Sequence, residues 1–281
     1  METVRLNNGV EMPIMGYGVF LVPQEECERC VLDAIDAGYR SIDTAQAYFN
    51  EEGVGSAIIK SDVPRDELFI TTKVWISNAG YEKARASIQE SLKKLQTGYV
   101  DLLLIHQPFN DYYGTYRAME EAYREGKARA IGLSNFYPDR FVDLARFSEI
   151  KPMVNQLETH VFHQRKEIRP YLEQYDTRLE AWSPFARGKN DLFTNPVLTG
   201  IGKQHGKTAA QVALRFLTQN GIMVIPKSIH RERMIENISI FDFSLTDEEM
   251  GRIEALDRGE TLFMNHYDPE SIDTLFARFN L

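Results

Sequence analysis

Two kinds of apolar pattern alternate along most of the chain. Short runs rich in Ile, Leu and Val, such as "VDLLLI" and "ARAIGL", show little polar alternation, which is typical of strands covered on both faces. A longer segment with helical periodicity follows each run. Eight such strand–helix units follow one another, and this order predicts an α/β fold, a (β/α)8 TIM barrel, over a single domain spanning residues 1–281.

Three segments lie outside this repeat. Near the N-terminus, short alternating stretches flank Asn8-Gly9, a pair that favours a tight β-hairpin turn. After Trp182, "DLFTNPVL" is interpreted as a loop. Near the C-terminus, Thr246 is a predicted N-cap, so "SLTDEEMGRIEALD" predicts an extra helix. The tail that follows has no clear period, but its aromatic residues indicate that it packs against the barrel.

An open, doubly wound sheet would also alternate strands and helices. Such a sheet should carry a G-x-G-x-x-G turn after its first strand. Here "GYGVFL" has the first two glycines, but Phe20 and Leu21 follow them, so the fingerprint fails. The barrel is therefore the favoured fold.

Titratable side chains follow the early strands of the predicted barrel. Asp43 follows "YRSI", Lys73 follows "LFITT", His106 follows "VDLLLI", and Tyr48 lies in the loop after Asp43. The carboxyl ends of barrel strands form one face, so these four side chains should converge. An acid, a phenol, an amine and an imidazole together indicate proton transfer to a substrate carbonyl.

The four residues are expected to share this task. The Lys73 ammonium should lower the pKa of the Tyr48 phenol, Asp43 should hold Lys73 charged, and His106 should hydrogen-bond the carbonyl oxygen. Each residue also has a structural explanation: an ion pair, a surface tyrosine or a core histidine. Their common position on one face favours a site.

A hydride source is absent from the side chains, so a cofactor is implied. Ser134, Asn135 and Gln156, near the ends of the fifth and sixth strands, offer hydroxyl and amide groups suited to a carboxamide. Trp182, after the seventh strand, offers a flat face for a ring, with core packing as the alternative.

A basic segment follows the eighth strand. Lys227 and Ser228 end the strand in "IPKSIHRERMIEN", and Arg231 and Arg233 open the next helix, whose N-terminus favours anions. A solvated basic turn is the alternative. The position after strand eight, where barrels often bind phosphate, favours a phosphate site.

Composition narrows the range of partners. The net charge of −9 and the pI near 5.3 argue against nucleic acid or an anionic membrane. No signal peptide or membrane-spanning run is evident, so we expect a cytoplasmic protein. No exposed apolar stripe is evident either, so we expect a monomer.

Cys27 and Cys30 are interpreted as structural. Only His160 and His163 are close among the histidines, so a metal-dependent hydrolase is disfavoured and no metal is expected.

The chain closely resembles the aldo-keto reductases, in particular the bacterial branch that reduces small aldehydes, methylglyoxal-like compounds and diketo sugar acids. The resemblance covers nearly the whole chain and is carried by "GYRSIDTAQAY", "TTKVW", "LLLIHQP", "AIGLSNF", "NQLE", "WSPF" and "IPKSIHRERMIEN". It implies an NADPH-dependent carbonyl reductase whose catalytic residues are Asp43, Tyr48, Lys73 and His106. The residues that it implies for cofactor binding are Ser134, Asn135, Gln156, Trp182, Ser183, Pro184, Phe185, Lys227, Ser228, Arg233, Glu236 and Asn237.

Two positions depart from the usual family motifs. Phe49 replaces the glycine of "YGNE" and should add a bulky ring beside Tyr48, and Gln107 replaces the tryptophan of "HWP". The predicted substrate pocket comprises Phe20, Phe49 and Trp75. The alternative function is a cofactor-sensing regulatory barrel with little turnover.

Overall fold

The computed structural model describes residues 2–281, and its strands and helices alternate as the sequence predicts. Two short strands precede the barrel, and eight more form it. The ten strands are β1 (Thr3–Arg5), β2 (Glu11–Pro13), β3 (Tyr17–Gly18), β4 (Ser41–Asp43), β5 (Phe69–Val74), β6 (Leu102–Ile105), β7 (Ile131–Ser134), β8 (Val154–Glu158), β9 (Arg178–Trp182) and β10 (Met223–Val224).

Strands β3 to β10 form one parallel sheet in which each strand pairs with the next along the chain. The last strand returns to the first: the Gly16 amide donates to the Val224 carbonyl at 2.8 Å, and the Val224 amide donates to the Ile14 carbonyl at 2.9 Å. These bonds close the sheet and confirm the predicted barrel. Strands β1 and β2 pair antiparallel around Asn8-Gly9, which confirms the hairpin.

Helices follow the barrel strands and cover the outside of the sheet. They are α1 (Gln24–Asp36), α2 (Glu51–Lys60), α3 (Tyr81–Lys94), α4 (Tyr112–Arg124), α5 (Pro138–Phe147), α6 (Arg169–Gln174), α7 (Pro196–His205), α8 (Ala209–Gln219), α9 (Arg231–Ile238), α10 (Asp247–Glu254) and α11 (Pro269–Phe279). Thr246 caps α10 and forms a capping box with Glu249, which confirms the predicted extra helix. No helix within residues 2–281 is long and apolar enough to cross a bilayer.

Two helices were not predicted. Helix α7 begins inside the stretch interpreted as a loop, where the Asn195 side chain caps the helix and Pro196 occupies its first position. Helix α11 lies in the tail, where Asp268 caps and Pro269 starts it. In both, the Asx-Pro pair was the available signal. The expectation that the tail has no clear period was wrong, because four apolar side chains of α11 recur at helical spacing and cover a small cluster around Trp75: Ile272, Leu275, Phe276 and Phe279.

The two cysteines lie on the inner face of α1. Both thiols are buried and neither forms a disulfide. Burial raises the pKa of Cys27 to about 12, so its thiol is poorly reactive.

Candidate active site

Three of the four predicted catalytic residues are joined by hydrogen bonds at the carboxyl ends of β4 and β5. The Lys73 Nζ atom donates to both Asp43 carboxylate oxygens, at 2.6 and 2.7 Å, and to the Thr44 carbonyl at 2.9 Å. It also lies 3.5 Å from the Tyr48 hydroxyl. Because Asp43 and Lys73 are buried, the ammonium is held at a fixed distance from the phenol.

Charge and burial act in opposite directions on these groups. Burial alone would lower the pKa of Lys73, but Asp43 outweighs it, so the net pKa is raised and the ammonium persists. Burial raises the pKa of Tyr48, and Lys73 opposes this only in part. The expected net lowering of the Tyr48 pKa is therefore not seen. Tyr48 holds its proton at neutral pH, as a proton donor must.

His106 completes the group through ring contacts. Its ring centroid lies 5.5 Å from that of Tyr48 and 5.0 Å from that of Trp75, in edge-on arrangements. Its Nδ1 atom is buried without a hydrogen-bond partner within residues 2–281. Burial and the nearby Lys73 place the pKa of His106 well below its usual value, so the imidazole is neutral.

The amide and hydroxyl groups predicted to hold a carboxamide lie together at the end of β7 and on β8, beside Trp182 of β9. Asn135 Oδ1 accepts from the Trp182 indole at 2.9 Å, while its Nδ2 donates to the His106 carbonyl at 3.0 Å. Ser134 donates to the Gln156 backbone carbonyl at 3.0 Å. These bonds tie the amide cluster to the strand that carries His106.

A cavity of about 480 Å³ opens where β10 meets α9. Six of the predicted cofactor-binding residues line it: Phe185, Lys227, Ser228, Arg233, Glu236 and Asn237. Lys227 and Arg233 are exposed, and neither forms an ion pair within the part of the chain that the structure describes. Cations without carboxylate partners at the start of α9 suit a phosphate group. Ser183 and Pro184 lie between this cavity and Trp182 in the chain, and Ser183 has a left-handed φ of 51°.

The predicted substrate pocket is only partly assembled. The Phe20 ring lies 4.9 Å from the Tyr48 ring, and Trp75 borders His106. Phe49, however, is 79% exposed and contacts no aromatic ring within residues 2–281. The structure therefore leaves the Phe49 ring exposed at the surface, and its place in the substrate pocket stays a prediction. Instead, Phe279 of α11 covers Trp75 at a centroid distance of 4.8 Å.

Sequence reasoning missed two residues beside this group. Glu180, on β9, is buried and accepts a hydrogen bond from the Gln156 side chain at 2.7 Å. A carboxyl in the middle of the apolar run "RLEAW" was the signal. Arg187 places its guanidinium 5.1 Å from the Phe20 ring and 4.9 Å from the Phe263 ring. No sequence motif identifies that bridge.

Within residues 2–281, no group of three or more His, Cys, Asp or Glu side chains could hold a metal ion. His160 and His163 lie near each other, but His160 is engaged with Glu158 at 3.1 Å.

Comparison with known proteins agrees with this geometry. A model of the aldo/keto reductase family matches residues 15–258. The glyoxal reductase of Bacillus subtilis is 50% identical over 266 residues, covering 94% of this chain and 96% of that protein. The methylglyoxal reductase DkgA of Escherichia coli is 38% identical over 262 residues, covering 92% and 94%. The crystal structure of a silkworm aldo-keto reductase complexed with NADPH superposes with a TM-score of 0.88 at 33% identity, covering 92% and 89%.

The chain belongs to the aldo/keto reductase family. It is an NADP-dependent oxidoreductase that reduces carbonyl groups. The donor set fits this cofactor: exposed cations border the cavity, and the Gln156 Oε1 atom has no hydrogen-bond partner within residues 2–281.

Proposed function

We propose that this enzyme reduces small aldehydes and α-oxoaldehydes to alcohols, with Tyr48 as the proton donor. The single observation that supports this role most directly is the Lys73 ammonium, which lies 3.5 Å from the Tyr48 hydroxyl and is held by both oxygens of Asp43. NADPH supplies the hydride when it is bound.

The roles of the four residues follow from their charges. The substrate oxygen becomes negatively charged as its carbon accepts a hydride, and the Tyr48 hydroxyl protonates that oxygen. The Lys73 ammonium stabilises the phenolate that remains, because the two groups lie in a region of low dielectric. Neutral His106 orients the carbonyl oxygen by a hydrogen bond and does not supply the proton, since its pKa is held low.

The cofactor would be held along the later strands. We assign the carboxamide to Ser134, Asn135 and Gln156, and the stacking face to Trp182. The 2′-phosphate would lie among Lys227, Ser228 and Arg233, and the adenine beside Glu236 and Asn237. Ser183, Pro184 and Phe185 would follow the pyrophosphate.

The substrate class rests on the aromatic side chains around Tyr48 and on the names of the relatives, a glyoxal reductase and a methylglyoxal reductase. Phe20 and Trp75 would contact the substrate directly, and we keep Phe49 as a residue of the outer rim. We also propose a single-domain cytoplasmic protein that is a monomer, and light scattering on the purified protein would test the monomeric state.

A panel of carbonyl compounds tests the proposal, with NADPH and NADH compared side by side. We expect oxidation of NADPH with methylglyoxal and glyoxal, and weaker oxidation of NADH. Arg233→Met should reduce the preference for NADPH about tenfold or more, as expected for one lost charge-assisted hydrogen bond. Arg231→Met, at the neighbouring cation outside the cavity lining, is the matched control. Cofactor binding without turnover across the panel would instead favour a regulatory barrel.

A further inference from the structure

The barrel interior contains a second buried carboxyl that the proposed mechanism does not use. Glu180 is 1% exposed and lies on β9, opposite Gln156 of β8 in the parallel register. The Gln156 Nε2 atom donates to Glu180 Oε2 at 2.7 Å and to Asp43 Oδ2 at 2.9 Å. One side-chain amide therefore bridges two carboxyl groups.

The charges in this cluster do not balance if both carboxyls are ionised. Lys73 is the one cation within salt-bridge distance of Asp43 or Glu180 in the described structure, and it is bonded to Asp43. An extra buried carboxylate is costly, so one carboxyl should retain its proton. Both Asp43 oxygens accept from Lys73, which leaves Glu180 as the protonated group. Burial, followed by the charge of Asp43, raises the pKa of Glu180 to about 8.

The bridge also fixes the orientation of Gln156. Both hydrogens of its Nε2 atom are donated to carboxyl oxygens, and turning the amide over would place its oxygen against the ionised Asp43 carboxylate. The Oε1 atom is left without a protein partner within residues 2–281. It is therefore the atom that can accept from the cofactor carboxamide.

We propose that Glu180 is a positioning residue: it keeps the Gln156 amide oxygen directed to the cofactor and, while protonated, leaves the Asp43–Lys73 pair electrically balanced beside Tyr48. This inference rests on the proposed function of Tyr48 and of Gln156. It adds a residue that touches neither the substrate nor the reacting atoms.

Ionisation of Glu180 has a defined consequence for the reaction. The groups that face it are Asp43, Lys73 and Tyr48. A new negative charge there raises the pKa of Tyr48 further and makes it a weaker acid. Reduction should therefore decline as pH rises through about 8, the pKa of Glu180, before the phenol itself titrates.

Two substitutions separate the two parts of the role. Glu180→Gln keeps an oxygen that can accept from Gln156 but cannot ionise, so the alkaline decline in kcat should move up by at least about one pH unit. Glu180→Leu removes the acceptor, so the Kd for NADPH should rise roughly fivefold, the effect of one lost hydrogen bond. The KM for the carbonyl substrate should change less than kcat in Glu180→Gln, because Glu180 does not contact that substrate.

Glu120 of helix α4 provides a matched control. Its carboxyl is also buried and accepts from the Ile150 backbone amide at 2.8 Å. Glu120→Gln should leave the pH profile and the NADPH affinity unchanged. An infrared titration provides a readout that does not require turnover: the carbonyl band of a protonated carboxyl should disappear as the pH passes about 8 in the parent enzyme and be absent in Glu180→Gln.

The outcomes are distinguishable. An unaltered alkaline decline in Glu180→Gln, or an infrared band that persists in that variant, would overturn the protonated state of Glu180. An unaltered Kd for NADPH in Glu180→Leu would overturn the positioning of Gln156. If Tyr48→Phe retained full turnover, the proposed function would fail, while the infrared and NADPH titrations would still decide the role of Glu180.

Discussion

Two buried aspartates lie at opposite ends of the barrel strands, and their surroundings differ in charge. Asp101 precedes β6 and is paired with Arg65 at 2.8 Å and with Arg129 at 2.7 Å, and it also accepts from the Ile70 amide at 2.9 Å. Asp43 ends β4, and Lys73 is its one cationic partner among residues 2–281. Asp101 thus has two cations for one carboxylate, whereas Asp43 shares one cation with Glu180 and faces a phenol.

This difference separates a structural ion pair from a site. A carboxylate with an excess of cations and a backbone donor has all its hydrogen bonds when it is ionised, so it does not exchange protons with its neighbours. A cluster with more acids than cations must share protons, and proton sharing among buried groups is what acid–base chemistry requires. Burial and a salt bridge alone would not distinguish the two aspartates, because both are almost fully buried.

The largest effect is expected at the Asp43 end of the barrel, where the proposed proton donor is removed. Tyr48→Phe should lower kcat by about 10³-fold, since a positioned general acid contributes on the order of 10²–10⁴. The Kd for NADPH should remain near that of the parent enzyme, because the hydroxyl is assigned to the substrate. The measurements are steady-state reduction of methylglyoxal and a fluorescence titration with NADPH. Unchanged turnover would remove Tyr48 from the mechanism.

The next largest effects are expected when each of the two aspartates is replaced by asparagine, which removes the charge of the carboxylate. Asp101→Asn should lower the free energy of unfolding by about 1–2 kcal/mol, because the Ile70 amide and two partly exposed arginines lose a charged acceptor. Its kcat should change little. Asp43→Asn should instead lower kcat strongly, because Lys73 is no longer held against Tyr48. Urea unfolding and kcat on the same two variants form the test. A large loss of kcat in Asp101→Asn without loss of stability would contradict the distinction.

The sequence predicts that Asp43, Lys73 and His106 lie together because barrel topology alone brings strand ends to one face. It could not show that Glu180 belongs with them. The hydrogen-bond partner of a single carboxyl on a strand depends on the register, which here sets Glu180 opposite Gln156. Register depends on contacts between residues far apart in the chain. For a related reason the sequence could not show that the Phe49 ring is exposed: its position next to Tyr48 in the chain does not decide which way a residue with left-handed φ directs its ring.

Acid should affect the two ends of the barrel differently. Burial lowers the pKa of His163 to about 4 and of His266 to about 3, and both lie with His106 on the Asp43 side. Below the unfolded value of about 6.5, the unfolded chain binds more protons than the folded chain, so stability falls as pH falls. At pH 5 each of the two should cost about 2 kcal/mol.

Hydrogen exchange at pH 7.5 and pH 5 would locate this loss. We expect the tail around His266, which is hydrogen-bonded to Gln107 at 2.7 Å, to lose protection first, and the segment around Asp101 to keep it. Equal loss at both ends would indicate global unfolding and would weaken the contrast between them.

The smallest expected effect concerns Phe49, which has φ of 56° next to Tyr48. A side chain in the left-handed region destabilises the folded protein by roughly 1–2 kcal/mol. A glycine at the same position avoids this strain, but the greater entropy of the unfolded chain offsets about 0.5–1 kcal/mol of the gain. Phe49→Gly should therefore stabilise the protein by about 0.5–1 kcal/mol. Phe49→Ala removes the ring but keeps the backbone strain, so it separates the two effects. Because the ring is 79% exposed, we expect the KM for methylglyoxal to be similar in both variants. A marked rise in KM in both variants would show that the ring packs over the bound substrate at the Asp43 end of the barrel, and a marked fall would show that it hinders substrate entry.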